Sequence, residues 1–146
     1  MGPERRSAAA LIALAALAAD QAVKWLVRGA DALPYDLVGG FRLVLVYNTG
    51  VSFGRLQDAG GILVAVVSAL VGVLAVALMA APSRYRPGLA LLLGGAVGNL
   101  VDRLRFDGAV LDYIDTSWWP AFNLADAFIV AGAGLVLLAA LRDARA

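Results

Sequence analysis

The sequence predicts an all-α membrane protein with four transmembrane helices and a small β-rich segment outside the membrane. Hydrophobic residues make up 62% of the 146-residue chain, and the mean hydropathy of +0.82 is far above that of a soluble domain. The apolar residues also fall into separate stretches close to the roughly 20 residues that a spanning helix needs. We therefore interpret residues 1-146 as a single integral membrane domain.

The four predicted helices cover about residues 8-27, 60-81, 87-104 and 122-141. The second and fourth stretches readily reach the length and hydrophobicity of a membrane span. The first stretch must accommodate Asp20 and Lys24, and the third reaches spanning length only if its polar end is counted: Asn99, Asp102 and Arg103. Polar groups in a spanning helix are expected to face protein rather than lipid.

The first stretch has a second interpretation as a cleaved signal peptide. Arg5 and Arg6 precede a run rich in Ala and Leu, which is typical of such leaders. The apolar pattern continues to Val27, however, and so reaches the length of a membrane span. This continuation favours an uncleaved helix.

The largest predicted segment outside the membrane covers about residues 29-59. Within it, residues 41-47 are rich in β-branched and aromatic side chains and are followed by Asn48-Thr49-Gly50. This pattern predicts a strand and a turn, and hence a small sheet at the membrane surface. Residues 83-86 and 105-121 are interpreted as loops that join the later helices.

Several function classes are excluded by composition. The chain has a net charge of +1, so no nucleic-acid partner is expected. It contains no Cys and no His, which excludes disulfides, thiolate chemistry and the usual zinc sites. We expect no metal or cofactor, and carboxyl groups remain the main candidates for catalysis.

The orientation in the membrane is not decided by the Lys and Arg count, which is equal on the two sides. Arg5 and Arg6 weakly favour an internal N-terminus, and an even number of helices puts both termini on the same side. The aromatic residues that suit the opposite membrane interface are Trp25, Tyr113, Trp118 and Trp119.

Polar residues recur at helical spacing on three of the predicted helices, in the pairs Asp20/Lys24, Asn99/Asp102 and Asn123/Asp126. Residues three or four apart share a helix face. Each Asp alone could be an interfacial cap, but the shared spacing predicts one polar cluster at one membrane depth. Within it, an Asn amide can orient a neighbouring carboxylate.

A small-residue seam precedes this cluster in the third helix. Gly94 and Gly98 have the spacing that allows close approach of helices in lipid. We therefore expect the third helix to pack tightly against a neighbour just before Asn99.

Two adjacent carboxyl groups cannot easily both ionise, so one keeps its proton while the other acts as a base toward water. This is the chemistry of an aspartic protease. The spacing does not choose the pair among the candidates, which are Asp102, Asp107, Asp112, Asp115 and Asp126.

Five blocks carry a resemblance to a known family. They are Asp20-Gln21-Ala22-Val23-Lys24, Asn48-Thr49-Gly50-Val51-Ser52-Phe53, residues 94-103, Val110-Leu111-Asp112-Tyr113 and Phe122-Asn123-Leu124-Ala125-Asp126. They span nearly the whole chain in order, and the third and fifth are specific. In these blocks the sequence resembles lipoprotein signal peptidase, also called signal peptidase II.

The resemblance implies four helices in the bacterial cytoplasmic (inner) membrane, both termini cytoplasmic, and a small extracytoplasmic β-rich cradle. It implies an endopeptidase that cleaves diacylglyceryl-modified prolipoproteins before the lipidated Cys, without metal or cofactor, near the extracytoplasmic face. Membrane lipid and a cyclic peptide inhibitor such as globomycin are the other expected partners.

The same resemblance assigns residue roles. The family's catalytic aspartates map onto Asp112 and Asp126. The residues that correspond to substrate-binding or dyad-supporting positions are Asn48, Gly50, Asn99, Arg103 and Asn123. Those that correspond to structural positions are Asp20, Lys24 and Asp102. No residue corresponds to a metal ligand.

Two features depart from the family. Tyr113 stands where Phe is more usual, at a position expected to be interfacial. The segment 113-125 is shorter than in many relatives, so the resemblance does not determine the shape of the substrate entrance.

Three other functions remain as alternatives. Lys24 and Ser52 could form a Ser-Lys dyad. Intramembrane Asp residues could mark a proton or solute path, as in a small conducting protein. A structural membrane subunit is the third alternative, but it leaves the repeated Asn-x-x-Asp spacing unexplained.

Overall fold

The computed structural model of the chain describes residues 3-50 and 59-145. The chain is mostly helical and also contains a small sheet. The elements in order are α1 (Pro3–Arg28), β1 (Tyr35–Asp36), β2 (Arg42–Asn48), α2 (Ala59–Ala80), α3 (Arg86–Arg105), β3 (Val110–Asp115) and α4 (Leu124–Asp143).

Helix α3 is the central element of the bundle, since it packs against α1, α2 and α4. Its glycines allow the close contact with α1. A Cβ atom added to Gly94 would lie 2.5 Å from the carbonyl oxygen of Ala13, and one added to Gly98 would lie 2.5 Å from a carboxylate oxygen of Asp20. The predicted small-residue seam is confirmed, and it brings the Asp20 carboxylate directly against α3.

Three of the helices in the described part of the chain are long and apolar enough to cross a membrane: Ser7–Arg28, Gly60–Ala80 and Leu124–Asp143. Helix α3 is also 20 residues long, but Asp102, Arg103 and Arg105 lie in its last two turns. These residues lower its hydropathy. Because α3 is surrounded by the other helices, its polar side chains can face protein instead of lipid.

The polarity of the bundle is reversed relative to a soluble protein. Large apolar side chains of α2 are exposed along one stripe: Ile62, Val66, Leu70, Val73, Val76 and Met79. By contrast, Asp20, Lys24 and Asp102 are almost completely buried. This arrangement is expected when lipid is the solvent for the outer surface.

The three strands form an antiparallel sheet in the order β1-β2-β3. Asn48 at the end of β2 pairs with Val110, and Val46 pairs with Asp112. Strand β2 lies close to the strand expected at residues 41-47. Strand β3 falls in the segment 105-121, for which the sequence predicts a loop, and that prediction is wrong. The strand was missed because its residues are buried on both faces and show no alternation of apolar and polar side chains.

Candidate active site

Asp112 lies in the middle of β3 and is buried, with 3% of its surface exposed. Its Oδ1 accepts a hydrogen bond from Asn123 Nδ2 at 2.7 Å, and its Oδ2 accepts one from Asn48 Nδ2 at 2.9 Å. Burial raises the pKa of the Asp112 carboxyl, the charge of Asp126 raises it further, and the two amide donors oppose the shift. Asp112 therefore binds a proton more tightly than an ordinary aspartate.

Asn48 is oriented by the turn that follows β2. Its Oδ1 accepts a hydrogen bond from the backbone amide of Gly50 at 2.9 Å, which leaves its Nδ2 to donate to Asp112. Gly50 has a φ angle of 68°, in the region that favours glycine. Gly50 thus fixes which end of the Asn48 amide faces the carboxylate.

Asp126 lies in the first turn of α4 and forms a capping box with Asn123. The Asp126 amide donates to Asn123 Oδ1 at 3.0 Å, and the Asn123 amide donates to Asp126 Oδ2 at 3.1 Å. The other carboxylate oxygen accepts from Asn99 Nδ2 at 2.8 Å. Both oxygens therefore have donors, and the side chain is held at the start of the helix.

Asn123 connects the two carboxylates. Its side-chain amide donates to Asp112 and its backbone amide donates to Asp126. The second side-chain hydrogen donates to Asn99 Oδ1 at 3.1 Å. Asn123 is fully buried, so each of these bonds is made without competition from solvent. The sequence pairs Asn99/Asp102 and Asn123/Asp126 do meet, but Asn99 orients Asp126 on the neighbouring helix and not Asp102 on its own.

Lys24 is the centre of a second cluster behind the pair. Its Nζ lies 2.9 Å from Asp20 Oδ2 and 2.7 Å from Asp102 Oδ2, and it donates to Asn99 Oδ1 at 3.2 Å. An ammonium group has three hydrogens, so all of its donors are used. Asp102 also accepts from the backbone amide of Leu111 at 3.1 Å, which ties this cluster to β3.

Gln21 also belongs to the cluster around Lys24, although the sequence alone predicted no role for it. Its Nε2 lies within hydrogen-bond distance of Asp20, Asp102 and the carbonyl oxygen of Gly98, and its Oε1 accepts from Arg105. The sequence does contain a signal for this role, because Gln21 is a polar amide inside an apolar stretch that is long enough to span a membrane. Such a residue needs a protein partner.

Arg103 lies on α3 beside the pair. Its Nη1 donates to the carbonyl oxygen of Asn99 at 3.3 Å, while its buried Nε has no partner among the residues that the structure describes. It makes no ion pair within 4.0 Å in that part of the chain. An arginine donor is therefore present beside the carboxylates.

Tyr113 is buried, with 3% of its surface exposed, so its ring packs against protein and not against lipid headgroups. It follows Asp112 in β3 and points its ring into the bundle, where its hydroxyl accepts from the Leu124 amide at 3.0 Å. Burial raises the pKa of Tyr113 to about 12, so the hydroxyl is neutral at physiological pH. The hydroxyl satisfies one of the free amides at the start of α4.

The structure separates the five candidate aspartates. Asp107 is exposed, and Asp115 forms an ion pair with Arg42 on the neighbouring strand. Asp102 is paired with Lys24. Asp112 and Asp126 remain as the two carboxylates that accept hydrogen bonds from the same residue, Asn123, and neither forms an ion pair within the described part of the chain. Ser52 of the alternative Ser-Lys dyad lies outside the described residues.

A cleft of about 680 Å³ lies beside Asp126. Its walls come from α4, the segment between β3 and α4, and Phe41, and they include Asp126, Val130, Trp118 and Trp119. Val130 and both Trp side chains are exposed. The cleft is therefore an apolar groove, open at the side of the bundle, with a carboxylate at one position in its wall.

The helical bundle, the small sheet and the buried polar cluster define a membrane-embedded enzyme, and comparisons with known proteins identify its family. Residues 12-142 match the family model described as Signal peptidase (SPase) II. The chain belongs to the signal peptidase II family, and it is a peptidase.

The relatives match over most of their length. The chain is 42% identical to a lipoprotein signal peptidase of Moorella thermoacetica, over 84% of this chain and 85% of the relative. It is 39% identical to that of Paraburkholderia phytofirmans, over 92% and 84%. A solved structure described as a bacterial membrane enzyme has a TM-score of 0.84 at 24% identity and covers 94% of both chains. At that identity, the structural match shows the fold.

Proposed function

We propose that the protein is an aspartyl endopeptidase that removes the signal peptide from diacylglyceryl-modified prolipoproteins, cutting before the lipidated Cys. Asp112 and Asp126 are the proposed catalytic residues. The observation that carries the proposal is the position of Asn123, which donates one hydrogen bond to each carboxylate. Family membership and the names of the relatives support the substrate class.

The proposed mechanism uses one proton shared by the pair. Burial raises the pKa of the Asp112 carboxyl and the charge of Asp126 raises it further, which favours the protonated form of Asp112. The ionised carboxylate takes a proton from water, whose oxygen attacks the scissile carbonyl. The protonated carboxyl donates its proton to the carbonyl oxygen, which gives a tetrahedral gem-diol. When the C–N bond breaks, the first carboxyl gives the proton that it took from water to the leaving amine, and the second takes a proton back from the gem-diol, so the pair again carries one proton.

The substrate is proposed to reach the pair sideways from the lipid. The apolar cleft beside Asp126 is open at the surface of α4 and has room for acyl chains of the modified Cys. A peptide at this depth needs protein partners for its backbone groups, because lipid supplies none. Arg103, with a free Nε among the described residues, and Asn48 are proposed to bind its carbonyl oxygens.

The proposed topology places all four helices across the bacterial cytoplasmic membrane, with both termini in the cytoplasm. The pair then lies near the extracytoplasmic face. Strands β1 to β3 serve as the cradle over the bound peptide, with Phe41 at the wall of the cleft. The large exposed Trp118 and Trp119 suit the depth of the headgroups on that side.

The alternatives receive less support. A proton or solute path predicts carboxylates spread through the membrane, whereas Asp20, Asp102, Asp112 and Asp126 belong to one connected cluster. The three hydrogens of Lys24 are already donated to Asp20, Asp102 and Asn99. An ammonium held in this way is a poor base for the Ser-Lys alternative.

The decisive experiment compares Asp112→Asn, Asp126→Asn and the control Asp115→Asn in purified form. Asn keeps the volume but cannot exchange the proton, so the first two variants should lose activity by at least about a thousandfold. Asp115 is paired with Arg42 away from the pair, and its variant should cleave a lipid-modified precursor at nearly the normal rate. Near-normal turnover by Asp112→Asn or Asp126→Asn would overturn the assignment.

The substrate class is tested separately with matched precursors that differ only in the diacylglyceryl group. We expect efficient cleavage of the lipidated precursor alone, and weaker cleavage and weaker binding of globomycin by Asn48→Ala and Arg103→Ala. Equal rates for both precursors would contradict lateral, lipid-dependent recognition while leaving the aspartyl mechanism intact.

A further inference from the structure

A basic cleft lies at the end of the bundle opposite the carboxylate pair. It has a volume of about 360 Å³ and is formed by the start of α1 and the junction of α2 with α3, including Ala8, Ala9, Ile12, Arg84, Arg86 and Pro87. Arg86 and Asn99 are 13 positions apart on α3, or about 20 Å along the helix axis. The basic cleft is therefore separate from the proposed catalytic site.

Arg86 is the unusual residue of the basic cleft because it is a buried cation, with 4% of its surface exposed. Its Nε donates to the Ala81 carbonyl at 3.1 Å and its Nη2 to the Met79 carbonyl at 3.4 Å, both at the end of α2. Its Nη1 has no hydrogen-bond partner, and no carboxylate pairs with it, among the residues that the structure describes. A buried guanidinium without a counterion is costly, so an anion is expected here.

Two further features favour an anion. Arg86 begins α3, and no side chain among the described residues caps the start of that helix, so the helix dipole adds partial positive charge at the same point. Arg84, which lines the basic cleft, has a mostly exposed side chain whose only carboxylate partner in the described chain is Asp143. Arg142, in the last turn of α4, lines a neighbouring cleft together with Arg84 and Pro87 and adds positive charge at this end of the bundle.

The position of the cleft selects the kind of anion. It lies at the ends of α1 and α3, beside the apolar Ala8, Ala9 and Ile12. Basic pockets between membrane helices typically bind lipid headgroups. We propose that the basic cleft binds the phosphate of an anionic phospholipid such as phosphatidylglycerol, with the guanidinium groups of Arg84 and Arg86 on the phosphate and an acyl chain along α1. The bound lipid fixes the depth of α1 and α3 in the leaflet away from the catalytic site.

The test is a titration of the purified full chain with lipid in detergent, and native mass spectrometry measures how much lipid is bound. Dioleoyl phosphatidylglycerol is the probe, and dioleoyl phosphatidylcholine is the control with the same acyl chains and no net charge. We expect tighter binding of phosphatidylglycerol by about fivefold or more. Equal binding of the two lipids would overturn the proposal. Displacement of phosphatidylglycerol by millimolar inorganic phosphate would show a site for free phosphate and would also overturn it.

Variants locate the site. Arg84→Gln should weaken binding of phosphatidylglycerol about fivefold, and Arg86→Lys by a similar factor, because Lys keeps the charge but lacks the fork of donors. Arg145→Gln, which removes an exposed charge outside the cleft, should leave binding unchanged. If Arg84→Gln and Arg86→Lys both bind normally, or if Arg145→Gln loses as much as Arg84→Gln, the site is refuted.

Two controls complete the experiment. Thermal unfolding without added lipid confirms that Arg84→Gln and Arg86→Lys are folded, and Arg84→Gln alone decides the question if Arg86→Lys is not. Glu4→Gln removes the acidic residue one helical turn before Ala8. It should leave lipid binding unchanged; a severalfold gain would show that the chain's own carboxylate holds the cleft, against the proposal.

Discussion

Replacing Lys24 by Met tests whether the cluster behind the carboxylate pair holds the fold together. Lys24 Nζ lies 2.9 Å from an oxygen of Asp20 and 2.7 Å from an oxygen of Asp102. Met has a similar length and no charge, so the variant leaves two buried carboxyl groups facing the same space. Either they repel each other as anions or one of them takes up a proton, and both outcomes destabilise the folded protein.

The size of the effect follows from the geometry. The two distances to Nζ put the carboxylate oxygens no more than about 6 Å apart, where the repulsion of two unit charges is about 3 kcal/mol at an effective dielectric constant of about 20. Breaking a buried ion pair costs about 3–5 kcal/mol by experiment on other proteins. For a chain of this size, that corresponds to a fall in melting temperature of roughly 10 °C.

Asp20→Asn is the matched comparison. It leaves Lys24 paired with Asp102, so one cation faces one carboxylate and no like charges are left to repel each other. The variant loses one buried acceptor toward Lys24 or toward the Ala125 amide, at a cost of about 1–3 kcal/mol. Lys24→Met should therefore be the less stable of the two.

The assay is thermal unfolding in detergent, monitored by circular dichroism. Cleavage activity is measured in parallel and expressed per folded molecule. Asn123 still donates to Asn99 when Lys24 is absent, so the activity of folded Lys24→Met should fall less than its stability. A melting temperature equal to that of the unaltered protein would refute the reasoning. A well-folded but completely inactive Lys24→Met protein would support the Ser-Lys alternative instead.

Three further predictions concern the site. Asn123→Ser keeps an oxygen that can cap α4 but lacks the amide donor to Asp112, so it should retain most stability and lose at least about tenfold in kcat/KM, while Asn123→Ala loses both. The raised pKa of Asp112 stabilises the folded protein at low pH, and this stabilisation is lost as the pH rises through the folded-state pKa. The melting temperature of Asp112→Asn, taken relative to that of the unaltered protein, should therefore increase from pH 4 to pH 8. A constant difference between the two melting temperatures would contradict the raised pKa. Tyr113→Phe removes the acceptor of the Leu124 amide and should cost about 1–2 kcal/mol of stability with little change in kcat; an unchanged melting temperature would show that this bond contributes nothing.

Much of the arrangement of the helices could be predicted from the sequence. The lengths of the apolar stretches indicate the helices, and the pairs Asn99/Asp102 and Asn123/Asp126 predict that polar faces meet. Helical spacing carries this information because residues three apart share a face. The same reasoning could not tell that Asn99 and Asp102 turn to different partners, Asp126 and Lys24. A one-turn spacing fixes a face and not a hydrogen-bond partner.

The position of Asp112 could not be predicted from helical spacing, because it comes from strand β3. That strand is held in register by β2 and by the Asp102 carboxylate, which accepts from the Leu111 amide. Strand β2 is distant from β3 in sequence, and Asp102 belongs to helix α3, so neither contact could be read from the spacing of residues within β3. The carboxylate pair was chosen by resemblance to a family, and the network gives a physical reason for that choice: Asp102 is neutralised by Lys24, and Asp112 is not.

The network also explains why amides surround the pair. A cation in contact with one of these carboxyl groups would favour its charged form and so disfavour the proton that the proposed mechanism needs. An amide donor holds a carboxylate in place while contributing no net charge, so a proton can still bind. Asn48, Asn99 and Asn123 all donate to one of the two carboxylates, whereas Lys24 contacts Asp20, Asp102 and the oxygen of Asn99. Asn99 therefore lies between Lys24 and the pair. It accepts a hydrogen bond from Lys24 and donates one to Asp126, so Lys24 helps to position Asp126 although its charge does not contact that carboxylate.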